Sequence, residues 1–509
     1  MIQFFNTLTG KTDEFKPLAD KAVLMYNCGP TVYDYAHIGN FRAFVFEDLL
    51  RRFLEFSGYK VNHVMNLTDV DDKTIAGANR TAGAGSPRPE QKQNFQKGGE
   101  TPPLQQFTAK YIEAFNEDLK TLNCLVPTKQ PRATHKIKPM QDLIQKLIDK
   151  DMAYENGGSV YYRVSKFKGY GKLSKKKLEM NIAGASERVD SDEYESKEQV
   201  TDFVLWKGAK EGEDELGAAW DSPWGKGRPG WHIECSAMSM EELGEQFDIH
   251  AGGEDLIFPH HENEIAQSEG ATGKDPFVKY WLHCKFLLVD GKKMSKRDGN
   301  FYTLRDLISK GYDPMAIRYA LLSTHYRTPL NFTLDGLKEA GEVIKRLDDC
   351  YAAISSRGMD VQCRVGGEKG DQISAPLQKI KQDIAASLAD DLNISKAIAS
   401  LLEAVKFLNI ASANGDLNPP DYQQIAIRFF MEIDKIFAFG IFSEKVPSDI
   451  VRKMEERSEV RQRIKKEGDK SLWMASDKLR DEIQALGWVV KDGKPGEPST
   501  VKKKRRVWD

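Results

Sequence analysis

The chain has 509 residues, too many for one hydrophobic core, so about two to four domains are expected. It is 40% hydrophobic and 29% charged with a formal net charge of −2, a composition that fits neither a membrane-spanning chain nor a uniformly basic polyanion binder. The balance hides an asymmetry: Arg452 to Asp509 carries 17 Lys+Arg against 11 Asp+Glu, a basic segment compatible with nucleic acid contact or with a solvated charged helix.

In chain order, Ala22–Tyr26 is a continuous apolar run, as in a strand buried on both faces. From Gly39 to Ser57, Phe41, Phe44, Val45, Leu49, Phe53 and Phe56 recur mostly at helical spacing, and Gly58 is a stop signal. Lys60–Met65 reads as a second strand. Such a strand–helix–strand unit is parallel and right-handed, with ligands at the carboxyl ends of its strands; Cys28 and His37–Asn40 lie at that edge. Arg80–Pro103, rich in Gly, Pro, Gln and Ser, reads as a mobile surface loop. A mixed region follows to about Trp224, with hairpin-like pieces such as Gly158–Val164. Strand-like Phe286–Val289 comes after it, so one nucleotide-type sheet is interrupted by an insertion. Beyond Thr303 the pattern is helical. Thr303–Asp306 resembles a capping box, Asp313–Pro314 is an N-cap and first-turn pair, and Ile380, Ile384 and Leu388, then Ala397, Leu401, Leu402, Val405 and Leu408, mark two amphipathic helices. Lys502–Arg506 reads as a disordered tail.

Three groups of residues could carry chemistry. In Phe258-Pro-His-His-Glu-Asn-Glu264, a helix starting near Pro259 puts His260 and Glu264 at i and i+4, with His261 and Glu262 pointing elsewhere. That is half a zinc site or a surface salt-bridge face. Cys28, Cys235 and His232 are further ligand candidates, and spacing alone does not choose among them. The second group is the basic stretch Gly291-Lys-Lys-Met-Ser-Lys-Arg297 between a strand and a helix, which suits a polyphosphate that gains charge during reaction; a lysine-rich surface turn is the alternative. The third is His37-Ile-Gly-Asn40 at a helix N-terminus, where a glycine and backbone donors can receive phosphate. Asp69, Asp71 and Asp72 read as caps and salt bridges. Cys124, Cys284, Cys350 and Cys363 read as buried or half-buried thiols, and His250 as an adenine neighbour or a structural residue. The six cysteines show no secreted disulfide pattern, the N-terminus lacks a signal sequence, and no apolar run approaches the roughly 20 residues of a membrane span. A cytoplasmic protein with no membrane partner is expected.

These motifs resemble the class I aminoacyl-tRNA synthetases, His37-Ile-Gly-Asn40 and Lys293-Met-Ser-Lys-Arg297 matching the two class signatures. Tyr26–Asp34, Asn66–Lys73, Gly230–Met238 and Phe258–Glu264 are similar to the cysteinyl-tRNA synthetases in particular. The resemblance runs from the N-terminus to at least Asp390–Asn393 and weakens through Asp477–Trp488. It implies one Zn²⁺ per chain held by Cys28, Cys235, His260 and Glu264. It also implies ATP binding by His37, Gly39, Asn40, Lys293, Met294, Ser295 and Lys296, with Mg²⁺ accompanying ATP and His37, Asn40, Lys293 and Lys296 as catalytic residues. Gly29, Thr68, Trp231 and Asp255 would surround cysteine, whose thiolate zinc would distinguish from the hydroxyl of serine. The implied reaction is cysteine–tRNA ligation in two steps, through cysteinyl-adenylate, onto tRNA(Cys), by a monomer. A related cysteine ligase acting on an amino sugar, as in mycothiol synthesis, is the rival, although such enzymes lack a C-terminal anticodon-reading portion.

The fold class expected is α/β. A Rossmann-type parallel-sheet catalytic domain (1–120 and 226–310) would be interrupted by a connective region (121–225). A helical stem-contact region (311–370), a helical bundle (371–445) and a basic anticodon-binding region (446–509) would follow. Asn40 stands where the general signature has His, and Arg297 where the second signature usually has Ser.

Overall fold

In the computed structural model, β1 (Gln3–Asn6) and β2 (Lys11–Glu14) form an antiparallel pair ahead of the main sheet. The apolar run then becomes β3 (Ala22–Asn27), followed by helix α1 (Ile38–Phe56) and β4 (Lys60–Met65). Strands β3 and β4 are parallel in the register Ala22↔Lys60 to Asn27↔Met65, as a strand–helix–strand unit requires. The structure describes residues 1–84, 102–176, 197–355, 368–417, 419–441, 448–467, 472–486, 488–492 and 499–503.

Helices α2 (Asp72–Ala84), α3 (Pro103–Thr121) and α4 (Ile137–Asp149) come next. Of the stretch read as a surface loop, Arg80 to Ala84 instead complete α2, where Ala and Arg sustain the helix up to the glycine-rich part; residues 85–101 lie outside the described set. An antiparallel sheet of β5 (Ala153–Asn156), β6 (Ser159–Tyr162), β7 (Phe203–Gly208) and β8 (Gly227–Pro229) follows, its hairpin closed by Gly157-Gly158.

The chain then returns through α5 (Trp231–Leu243), β9 (Phe247–Gly253), α6 (Glu262–Thr272) and β10 (Val278–Cys284). The parallel sheet has the order β10–β9–β3–β4. Because β3 leads outward to β4 and β9 leads outward the other way to β10, the strand order reverses between β3 and β9. The crevice at their carboxyl ends is where ligands bind in such sheets. One continuous core runs from Tyr26 and Val64 through Val160 and Trp206 to Cys235 and Trp281, so the inserted sheet packs as part of the same hydrophobic body. Strands β11 (Leu287–Val289), β12 (Lys292–Lys293) and β13 (Leu330–Phe332) form a separate small sheet in the order β12–β11–β13, so the strand read at Phe286–Val289 is not part of the parallel sheet. This first unit spans Met1–Leu304 and Tyr326–Asn331.

The second unit is mainly helical: α7 (Leu304–Ser309), α8 (Pro314–Leu322), α9 (Leu334–Ser355), α10 (Glu368–Ala389), α11 (Ile394–Ala413) and α12 (Pro420–Phe437). Asp313 caps α8 through a 2.7 Å hydrogen bond from the Met315 N–H, with Pro314 in the first turn. Helices α9 to α12 bury Ile344, Leu347, Ile384, Leu388, Leu401, Val405 and Phe430, the pattern expected of amphipathic bundle helices. At the C-terminal end, α13 (Ser448–Glu467), α14 (Leu472–Ala485) and the hairpin β14 (Trp488–Lys491)–β15 (Thr500–Lys503) share a small core of Ile450, Ile483, Trp488 and Val490. The buried Arg457 guanidinium donates to Asp492 at 2.6 Å, holding that carboxyl below the usual range. Lys502 and Lys503, expected in a disordered tail, pair in β15 with Val489 and Trp488. Lys504–Arg506 lie outside the described residues. No helix among the described residues is long and apolar enough to cross a membrane.

Candidate active site and metal centre

Cys28 stands one residue past β3, Cys235 in the second turn of α5, His260 in the turn Ile257–His261 that leads into α6, and Glu264 in the first turn of α6. The fold brings all four together: their ligand atoms lie within 4.8 Å of one another and all are buried. The Cys28 Sγ is 3.7 Å from the Cys235 Sγ and 3.8 Å from a Glu264 oxygen, and His260 Nε2 is 3.1 Å from Glu264 Oε1. Two thiolates on one tetrahedral zinc at about 2.3 Å each are about 3.8 Å apart, so the cage has the dimensions of a zinc site. His260 Nε2 is fully buried and faces Glu264 Oε1 at 3.1 Å without the geometry of a hydrogen bond, so both atoms point into the cage as ligands of one ion would. The residues present therefore fit a soft divalent cation, and a solvent-facing salt bridge does not describe a pair at 0–1% exposure.

His232 does not join this group; its Nδ1 lies 2.9 Å from His260 Nδ1, on the ring edge away from Glu264. His261 departs from the expectation that it points elsewhere. Its Nε2 approaches Cys28 Sγ at 3.4 Å, because His261 is three residues before Glu264 and His260 four, and both spacings reach the same helix face. Glu262 does point away: it accepts from the Gly171 and Ser174 N–H groups at 2.8 and 2.7 Å, tying α6 to the inserted region. His250 takes the structural one of its two readings. It is fully buried, stacked on Trp281 at 4.6 Å, and its Nε2 lies 3.0 Å from Glu264 Oε2. A further relay links His261 Nδ1 to His283 Nε2 at 2.8 Å and His283 Nδ1 to Thr7 Oγ1 at 2.7 Å. Cys28, His250, His261 and Glu264 form a second overlapping cluster. Its histidine atoms already face Glu264 and Cys28 within the pocket, the placement of groups that orient ligands from behind.

The electrostatics are those of a site prepared for a cation. Burial would raise Cys235, but its hydrogen bond from Cys28 and the proximity of His260 bring it down to about 6. Burial would likewise raise Glu264, but His250 and His260 hold it at about 2. Burial would lower His260, and the Cys235 and Glu264 anions raise it to about 10. Burial pushes Cys28 well up.

Of the residues expected around cysteine, Gly29 and Thr68 share one partner. Asn66 Oδ1 accepts from the Gly29 N–H at 2.8 Å, and its Nδ2 donates to Thr68 Oγ1 at 3.2 Å. A Cβ on Gly29 would stand 1.7 Å from the Asn66 carbonyl oxygen, so only glycine lets the two strand ends approach this closely. Trp231 opens α5, is 42% exposed, and lies over His260 at 4.3 Å between ring centroids. Asp255 is exposed in the turn after β9, where its charge acts on His37.

The two signature stretches meet. His37 is the N-cap of α1: its Nδ1 accepts from the Asn40 N–H at 3.1 Å, while Asn40 Oδ1 accepts from the His37 N–H at 3.1 Å. This reciprocal capping box gives Asn40 a concrete reason for its place. With Nδ1 accepting, a neutral His37 carries its proton on Nε2, as a donor; burial lowers its pKa. Met294 reaches over Gly39, its Cε 2.6 Å from where a Cβ would stand. Asn300 fixes the basic loop by accepting from the Ser295 N–H at 2.8 Å, and Lys296 Nζ pairs with Asp34 Oδ2 at 2.7 Å. Lys293 lies exposed in β12. Asp34, Asn66 and His283 were not singled out from the sequence. Asp34 and Asn66 lie inside noted motifs, and His283 becomes visible only when distant segments meet.

The acidic triplet and the lone cysteines behave as read. Asp71 accepts from the Thr74 N–H at 2.7 Å, Asp72 pairs with Arg228 and Lys207, and Asp69 accepts from Thr134. Cys284 and Cys350 are buried and Cys124 half-buried; Cys363 lies outside the described residues.

Residues 14–342 match the family described as tRNA synthetases class I (C) catalytic domain. A cysteine–tRNA ligase of Brachyspira hyodysenteriae is 44% identical over 508 residues, 99% of each chain. One of Chlamydia muridarum is 44% identical over 97% of this chain and 98% of its own. Among solved structures, Mycobacterium tuberculosis methionyl-tRNA synthetase in complex with methionyl-adenylate superposes with a TM-score of 0.58 at 12% identity, covering 82% of this chain and 92% of that one, a likeness of fold.

Proposed function

Since the chain belongs to the cysteine–tRNA ligase family of class I tRNA synthetases, we propose that its crevice activates L-cysteine with ATP and passes the cysteinyl group to the 3′ end of tRNA(Cys). The observation that carries the reading is the buried Cys28–Cys235–His260–Glu264 cage beside the His37–Asn40 capping box, at the carboxyl edge of one parallel sheet. The amino-sugar rival is not favoured, because relatives named as tRNA ligases match 97–99% of the chain, helical second unit included.

In this reading Cys28, Cys235, His260 and Glu264 hold Zn²⁺. When bound, the ion supplies a soft centre that prefers the thiolate of cysteine to the hydroxyl of serine. That preference exceeds the roughly 10–200-fold that an ordinary apolar pocket achieves for one small group. Gly29, Thr68, Trp231 and Asp255 surround the amino acid. His37 presents Nε2–H toward phosphate or ribose, Asn40 holds that tautomer, and Gly39 leaves the helix N-terminus open to the phosphates of Mg²⁺–ATP. The cysteine carboxylate attacks the α-phosphate, pyrophosphate leaves, and Lys296 and Lys293 stabilise the charge that develops on the leaving side. The tRNA ribose hydroxyl then attacks the acyl carbon and AMP departs. Neither step needs a covalent bond to the protein, so the chain acts by positioning and electrostatics.

We assign segments 1–120 and 226–310 to catalysis, 121–225 to the connective insertion, 311–370 to the tRNA stem, 371–445 to a bundle and 446–509 to the anticodon. The protein acts as a cytoplasmic monomer in this reading. Cysteine-dependent exchange of pyrophosphate into ATP, measured alongside metal content, tests it. Zinc-loaded protein that exchanges no pyrophosphate with cysteine would refute it.

A further inference from the structure

Glu234 is buried at 0% exposure in the first turn of α5, beside Cys235, and the account so far gives it no role. Its Oε2 accepts the Thr68 hydroxyl proton at 2.9 Å, and its Oε1 is buried without a hydrogen-bond partner. Thr68 is itself 1% exposed. Its backbone is locked across the strand ends: the Thr68 N–H donates to Pro30 O at 3.1 Å, and the Val32 N–H donates to Thr68 O at 3.1 Å.

A hydroxyl has one proton and two lone pairs. The Thr68 proton goes to Glu234, and one lone pair receives the Asn66 Nδ2–H. The single valence left is an acceptor. An α-ammonium group is a donor only, whereas a carboxylate is an acceptor only, so this hydroxyl can receive the first and cannot serve the second.

We propose that Glu234 is a positioning residue that commits the Thr68 hydroxyl to accepting, so that Thr68 reads the ammonium end of the bound amino acid. This inference rests on the reading of Thr68 as a substrate contact. Glu234 does not touch substrate; it fixes which way the hydroxyl rotor faces, and the Gly29–Asn66–Thr68 chain carries that orientation to the strand end next to Cys28. Freed from Glu234, the hydroxyl can point its proton at the ammonium, turning an attraction into a repulsion.

The test compares L-cysteine with 3-mercaptopropionate, which keeps the thiol and carboxylate but lacks the amino group, as ligands of the full-length, zinc-loaded protein. Glu234→Met removes the acceptor at similar length. It is expected to weaken L-cysteine binding roughly tenfold while leaving 3-mercaptopropionate within about twofold, with zinc content and ATP binding unchanged. Glu234→Gln retains one acceptor oxygen and is expected to restore most of the L-cysteine affinity. Equal weakening of both ligands, or unchanged L-cysteine binding, would overturn the inference. If Glu234→Met fails to fold, Thr68→Ser and Thr68→Val give the same comparison: the serine variant is expected to keep the preference for L-cysteine and the valine variant to lose it, and the preference persisting in the valine variant overturns the proposal. Wild-type protein that binds neither ligand would instead refute the functional reading beneath it.

Discussion

Loading the metal cage should release protons, and the structure sets how many. At pH 7.5 Glu264, held at about 2, and Cys235, at about 6, are already anions. His260, raised to about 10, and Cys28, pushed well above its ordinary value by burial, still carry protons. Ligands must be deprotonated to bind, so each ion that enters displaces two protons in the window above 6 and below the raised values of Cys28 and His260. The sign follows directly: protons compete with the metal, and affinity rises with pH. Each displaced proton contributes a factor of ten per pH unit, so raising pH from about 7 to about 8 should tighten zinc roughly 100-fold, or about 2.7 kcal/mol. Below pH 6 Cys235 also protonates and the dependence steepens toward three protons. The assay is competition against a chromophoric chelator of known proton affinity at several pH values, with proton release checked by calorimetry in two buffers of different ionisation enthalpy. A dependence of one proton or fewer between pH 7 and 8 would refute this account of the cage's charge state.

Cys235→Ser removes one sulfur of the cage; it should lower bound zinc and cysteine-dependent pyrophosphate exchange together, with ATP binding close to wild type. Lys296→Ala breaks the 2.7 Å pair with Asp34 and removes the cation proposed for the leaving side, so adenylate formation should slow by a factor of about 100 or more in single-turnover measurements while metal content stays constant. Gly29→Ala places a methyl 1.7 Å from the Asn66 carbonyl oxygen and should lower stability at the upper end of the roughly 1–3 kcal/mol overpacking range, read by thermal unfolding. Removing Lys502–Asp509 deletes the second half of β15; tRNA affinity should fall, and its salt dependence should become shallower.

The β3–α1–β4 unit was legible because each of its periodicities ran uninterrupted, whereas the partner strands β9 and β10 were not marked out in the sequence. Lys60–Met65 alternates too little to be an exposed strand, and α1 carries aromatic residues at three- and four-residue steps; both are found where the pattern puts them. The four cage residues could be nominated from side-chain chemistry, but not chosen over His232, because spacing says nothing about which way a ring points across 20 or 200 residues. His261 was misjudged for a related reason. A simple helical wheel separates neighbours by about 100°, yet Glu264, four residues on from His260 and three from His261, lies within reach of both. His250 was ambiguous because its role depends on Glu264 arriving from another element. The strand at Lys502–Lys503 was missed because its apolar partner lies in β14, whereas the lysine run itself argues for solvent.

Cys28 and Cys235 touch although 207 positions separate them along the chain. During synthesis, therefore, the first sulfur emerges long before its companions, and a product that stops short of Glu264 holds at most a partial set of donors. In the proposed reading, truncated chains would make poor scavengers of a scarce ion, and capture would wait until the polypeptide has delivered both halves of the sheet. A metal held by this cage would then check assembly late in synthesis, in addition to its proposed part in reading sulfur.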